Sequence, residues 1–220
     1  MAVPGGARIG QVVSVNVGAP REVPWGGRMV RTAIWKEPVA GPVEVRGANL
    51  AGDGQADRRV HGGTHKAVYA YAVGDYAWWS EQLGVELAPG TFGENLTVGG
   101  IDPSGAQVGE RWRVGSCVLE VSEPRFPCFK LGIRMGTADF VDLFEMVGRL
   151  GTYLRIVEEG AVEAGDPIDL LSRPDQPLTV AELAKARQTD DVTLLERVAA
   201  HPAVAPRWAD AARRALGRQG

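Results

Sequence analysis

The 29 glycines and 14 prolines of this 220-residue chain are not gathered into a linker. They recur at short intervals through residues 1–172 and cut the chain into short β-rich runs, the texture of a barrel or sandwich. Val13, Val15 and Val17 alternate with Ser14 and Asn16, which predicts a strand that buries its valines and exposes its polar residues. Further strands are predicted over 32–35, 43–45, 95–98, 111–114, 117–122, 153–157 and 168–171.

Two helices interrupt the strands. Tyr76, Trp79 and Leu83 follow Asp75 at helical spacing and stop at Gly84; Phe140, Phe144 and Val147 follow Thr137, with Gly148 and Gly151 closing the segment. The texture changes at Ser172-Arg173-Pro174. Beyond it, Thr179 and Glu182 form a capping box, 192–200 reads as a second helix, and Pro206 suits the first turn of a third. The division is therefore a β-barrel over 1–172 and a helical extension over 173–220. So short an extension buries little core alone and is expected to pack on the barrel or on a partner, a homodimer being one such arrangement.

A hydrophobic content of 45% with 23% charged residues is enough for a full core. With 24 basic and 27 acidic residues the net charge is −3, and no basic stripe offers an electrostatic grip on nucleic acid. No apolar run approaches the ~20 residues that span a bilayer, and no signal-peptide pattern opens the chain. A cytoplasmic protein without membrane association is expected, its two cysteines kept as thiols.

Three segments hold residues that a packed core does not require. Residues 52–67 are glycine-rich and ionisable, and read as a loop. His61 and His65 have the spacing of helical zinc ligands, but Gly62-Gly63 between them opposes a helix and no third ligand is near; the bland reading is a surface loop. In Phe92-Gly93-Glu94-Asn95-Leu96 a polar pair able to read the edge of a heterocycle precedes a strand, although a plain turn fits equally. In Pro124-Arg125-Phe126-Pro127-Cys128 two prolines restrain a loop that presents Cys128 between the cations of Arg125 and Lys130. A thiolate is the form that acts as nucleophile or soft-metal ligand. Read alone, Cys128 fits either that role or an inert buried thiol. Cys117 lies in a strand and reads as core.

In chain order, Gly52-Asp53, Gln55-Ala56-Asp57, His61-Gly62-Gly63, Gly93-Glu94-Asn95-Leu96 and Pro124-Arg125 with Pro127-Cys128 resemble the MOSC superfamily, the domain type found at the C-terminus of molybdenum-cofactor sulfurases. Thr32-Ala33-Ile34-Trp35-Lys36 and the helical tail narrow the resemblance to its YiiM-like bacterial branch, and it spans nearly the whole chain. The resemblance implies a MOSC-type β-barrel that binds the molybdenum cofactor, a pyranopterin dithiolene, and reduces N-hydroxylated compounds such as hydroxylaminopurine-like bases and hydroxamates. It assigns Cys128 as the molybdenum ligand or sulfur carrier. Arg125, Lys66 and Lys36 would hold the pterin phosphate, Glu94 and Asn95 would contact pterin or substrate, and His61 with Gly62 would touch the pterin or supply a proton. The position of His65 is commonly acidic in this branch, so no role passes to it. Without a ferredoxin-like cysteine cluster, electrons must come from a separate donor protein. Two other readings are a carrier with a persulfide on Cys128 and a cofactor-binding module without turnover.

Overall fold

The computed structural model describes residues 2–54 and 63–218. The first strand, β1 (Ala2–Val17), is followed by the hairpin β2 (Arg21–Trp25) and β3 (Arg28–Thr32), then β4 (Glu37–Pro38), β5 (Val43–Arg46) and β6 (Asn49–Leu50). Next come β7 (Val68–Ala72), α1 (Val73–Leu83), β8 (Leu96–Gly99), β9 (Arg111–Val114), β10 (Cys117–Pro124), α2 (Phe129–Met135) and α3 (Phe140–Val147). The chain ends with β11 (Thr152–Glu158), β12 (Gly160–Val162), β13 (Pro167–Ser172), α4 (Val180–Lys185), α5 (Val192–Ala200) and α6 (Pro206–Leu216).

Seven strands close into a barrel in the order β13-β9-β10-β11-β7-β8-β1, with β1 pairing back to β13. The mainly β barrel with few short helices expected from the glycine and proline punctuation is present. Within that ring only β7 and β8 run parallel. A parallel pair cannot be joined by a tight turn and needs a crossover, which α1 provides before ending on Gly84 in the left-handed region at φ 65°.

β7 separates two cores by the period-two rule of a strand. Val68 and Ala70 face the barrel interior with Leu96, Leu119 and Leu154. Tyr69 and Tyr71 face an aromatic cluster of Trp79, Phe92, Phe140 and Phe144 outside it, where the Trp79 and Phe144 rings stack with centroids 5.5 Å apart.

Two sequence expectations are corrected. The register of β1 against β8 shifts between Val12 and Ser14, and this bulge breaks the expected alternation, although Val15 is buried as predicted. Val13 is 39% exposed, whereas Ser14 and Asn16 are buried. Their burial is tolerable because each is hydrogen-bonded: Ser14 Oγ donates to Asn16 Oδ1 at 2.7 Å, and Asn16 Nδ2 donates to Thr97 Oγ1 at 3.1 Å. The strand expected over 32–35 ends at Thr32, and residues 33–36 continue outside any ladder.

The helical tail shares the barrel's apolar core. Leu178, Val180, Leu183, Leu194, Leu195, Val198 and Trp208 pack in one cluster with Val108, Trp112 and Val121 of the β-region. The capping box of α4 is complete, Glu182 N–H donating to Thr179 Oγ1 at 3.1 Å and Thr179 N–H to Glu182 Oε2 at 2.8 Å. Among the described residues no helix is long and apolar enough to cross a membrane.

Candidate active site

One cleft gathers the ends of four neighbouring barrel strands. Tyr69 lies near the start of β7, Asn95 just before β8, Arg125 just after β10 and Tyr153 near the start of β11, and all four line it. The segment after β3 adds Ile34 and Lys36, the loop after β6 adds Asp53, and the short turn Thr64–Lys66 adds Lys66. Cys128 and Lys130 complete the wall. Of the residues singled out from the sequence, the cleft therefore unites Cys128, Arg125, Asn95, Lys66 and Lys36. His61 and Gly62 lie outside the described residues.

Cys128 is the N-cap residue of α2, yet its side chain bonds no backbone N–H there. Its half-buried sulfur lines the cleft. Arg125 is only 6% exposed. Its Nη2 donates to the Phe92 carbonyl at 3.3 Å, and its guanidinium stands 5.3 Å from the Tyr69 ring centre, a cation over an aromatic face. Among the described residues its Nη1 is buried with no hydrogen-bond partner. A buried donor on a guanidinium, which stays charged, costs free energy until an acceptor meets it.

Lys36 and Asn95 are committed to the wall. Lys36 pairs with Asp53, and burial lowers its pKa against the pull of that carboxylate. Asp53 also accepts from Gly18 N–H at 2.9 Å and from Asn95 Nδ2 at 3.0 Å, while Asn95 Oδ1 accepts from Tyr69 N–H at 3.1 Å. These bonds fix the coil after β3, the loop after β6 and β7 to one another. Lys66 is half-buried, and burial together with the nearby charge of Arg207 lowers its pKa. His65 Nδ1 lies 3.0 Å from Ser122 Oγ.

Glu94, expected to contact pterin or substrate directly, has no exposed surface and stands behind the wall. Its Oε1 accepts from Tyr76 Oη at 2.6 Å, Gly90 N–H at 2.6 Å and Thr97 Oγ1 at 2.8 Å, while Oε2 is buried without a partner among the described residues. Burial raises its pKa above the ordinary 4.5 despite those bonds. A carboxyl raised in the folded state lowers stability as pH climbs from the unfolded value of about 4.5 toward the folded one, and restores it as pH falls. Glu94→Gln should remove that contribution to the slope. Melting curves between about pH 4 and 8 check this, and identical pH dependence in the two proteins would count against it.

The residues present suit a molybdenum pterin. Among the described residues no three His, Cys, Asp or Glu side chains converge as a metal cage, and Cys128 is the soft donor of the cleft. A metal held by one protein thiolate needs its other ligands from a cofactor, which a dithiolene supplies as sulfur of the same softness. The Arg125 Nη1, unpartnered among the described residues, would suit a pterin carbonyl or phosphate as acceptor. Asp53, Tyr69 and Tyr153 were not assigned roles from the sequence. Asp53 sits inside a motif quoted above, but the two tyrosines carry no signal that separates them from core aromatics.

A family model described as MOSC domain matches residues 57–169. The chain is 36% identical over 199 residues to YflK of Bacillus subtilis (strain 168), covering 90% of each chain. It is 32% identical over 189 residues to a protein of Gibberella moniliformis named Reductase, covering 84% of this chain and 33% of that longer one. The crystal structure of YiiM from Geobacillus stearothermophilus matches with a TM-score of 0.78 at 31% identity, over 94% of this chain and 99% of that one.

Proposed function

The chain belongs to the MOSC domain family, and from that membership we propose that it is a molybdenum-cofactor-dependent reductase of N-hydroxylated compounds, hydroxylaminopurine-like bases and hydroxamates among them. The observation that carries this reading is the meeting, in one cleft, of the Cys128 sulfur with a buried Arg125 Nη1 that has no partner among the described residues. The relative named Reductase supports the oxidoreductase class.

The net reaction takes R–NHOH, two electrons and two protons to R–NH2 and water. When bound, the molybdenum cofactor supplies the two-electron chemistry. Cys128 offers a thiolate ligand. Arg125 would donate from Nη1 to the pterin or its phosphate, and Lys66, which also lines the cleft, would add a second cation. The lowered pKa of Lys66 brings its Nζ closer to releasing a proton near neutral pH. Lys36, Asp53 and Asn95 act by keeping the wall in place.

Electrons come from a separate protein. Arg28 stands 6.0 Å from the Phe129 ring centre, and Arg21 and Arg134 stand 3.9 Å and 5.8 Å from that of Trp35. Among the described residues none of these arginines has a carboxylate within ion-pair distance. Around Trp35 and Phe129 these three cations, with Glu37 within electrostatic reach of Arg134, offer a surface for an anionic donor.

The experiment is anaerobic turnover of hydroxylaminopurine, a hydroxamate and hydroxyurea by molybdenum-loaded protein with a reduced viologen. Aminopurine, amide and urea respectively should form, with two electrons consumed per product. Loaded protein that reduces none of the three contradicts the reading.

A further inference from the structure

Glu123 is the penultimate residue of β10, close in sequence to both Arg125 and Cys128, and it has no exposed surface. Its carboxylate is held by the last helix of the chain. Arg207 of α6 donates from Nε to Oε2 at 2.9 Å and from Nη2 to Oε1 at 2.5 Å, a two-pronged fork, and Trp208 Nε1 donates to Oε2 at 2.9 Å. The Trp208 indole then packs on Phe126 with ring centres 5.9 Å apart. Residues 123 and 126 are thus fastened to α6, and Pro124-Arg125 lies between the two anchors with its guanidinium in the cleft. A fork fixes orientation as well as distance, and a buried carboxylate stripped of its cation is strongly unfavourable. The position of this segment and the docking of α6 are therefore one equilibrium.

We propose that Arg207 and Trp208 are positioning residues of the cleft: through Glu123 and Phe126, the last helix sets where Arg125 and Cys128 stand. The proposal rests on the reading that this segment holds the molybdenum cofactor, and it makes the helical tail a working part of the site.

Three full-length variants test it, Arg207→Ala, Arg207→Lys and Arg197→Ala. Arg197 pairs with Glu182 at 2.9 Å inside the tail and controls for a general loss of tail stability. On cofactor-free protein the readout is the alkylation rate of Cys128 by iodoacetamide, Cys117 being fully buried; molybdenum per chain and melting temperature are measured beside it. Arg207→Ala should alkylate roughly fivefold faster or more, because the segment opens locally without global unfolding. Arg207→Lys, with its charge but no fork, should recover part of the protection, and Arg197→Ala should react at the parental rate. Should Arg207→Ala not fold, Trp208→Phe keeps an aromatic ring, loses the Nε1 donor and part of the packing on Phe126, and should show a smaller acceleration. Parental alkylation in Arg207→Ala, or in Trp208→Phe where it is the variant used, overturns the proposal, as does an equal change in Arg197→Ala. Accelerated alkylation in chains that never hold molybdenum would uphold the positioning role and sink the cofactor reading alone.

Discussion

Cys128→Ser is expected to leave a folded barrel that retains no molybdenum and reduces no N-hydroxylated substrate. Serine nearly preserves the size of the side chain, and the sulfur of Cys128 makes no capping bond at the N-cap of α2. Serine is the better N-cap residue, so the variant should melt no lower than the parent. Its hydroxyl is a poor ligand for a soft metal site, which confines the loss to the cofactor. Cys117 gives the contrast. It is fully buried, its Sγ donates to the Val114 carbonyl at 3.0 Å, and burial pushes its pKa up to about 12, all properties of a core thiol. Metal analysis and amine formation on the purified variant decide the matter: undiminished turnover by Cys128→Ser would remove the thiol from the mechanism.

Arg125→Ala is expected to be nearly as severe, with Arg125→Lys intermediate. The sequence alone allows Arg125 to be a surface partner of Glu123, but that carboxylate is occupied by Arg207 and Trp208, and Arg125 is turned into the cleft with Nη1 unpartnered among the described residues. Losing a charge-assisted hydrogen bond of ~1.5–3 kcal/mol weakens cofactor affinity by about 10- to 150-fold. Lysine keeps the charge and loses the planar fork. Molybdenum content should fall in the order Arg, Lys, Ala before melting temperature moves comparably. Parental occupancy in the alanine variant would contradict the role given to Arg125.

Elements with local chemical punctuation were legible in the sequence, and elements defined by tertiary burial were not. α1 and α3 end where predicted because Gly84 and Gly148 take up left-handed φ values of 65° and 76°, which few other residues tolerate. The capping box announces α4 for the same local reason. β7 shows no alternation because both of its faces are buried, in two different cores. The β2–β3 hairpin is marked by Gly26-Gly27, whose φ values of 56° and 77° make the two-residue turn that fits a twisted hairpin. In β1 a bulge against β8 exposes Val13 and buries Ser14 and Asn16 beside the buried Val15, something no period within β1 itself encodes.

The cleft divides along the same line. Arg125 and Cys128 were legible because two prolines set reactive side chains into a restrained segment. The role of Glu123 was not, because its partners lie on α6 about 80 residues away in sequence. Glu94 was legible as chemistry but not as position: its three donors come from α1, Gly90 and β8, and only their convergence draws the carboxylate behind the wall.

The most direct test is the molybdenum and sulfane sulfur content of full-length protein purified anaerobically from cells able to make the cofactor. Close to one molybdenum per chain, absent from Cys128→Ser, is the result expected here. Sulfane sulfur on Cys128 in chains without molybdenum would contradict it and make the protein a sulfur carrier.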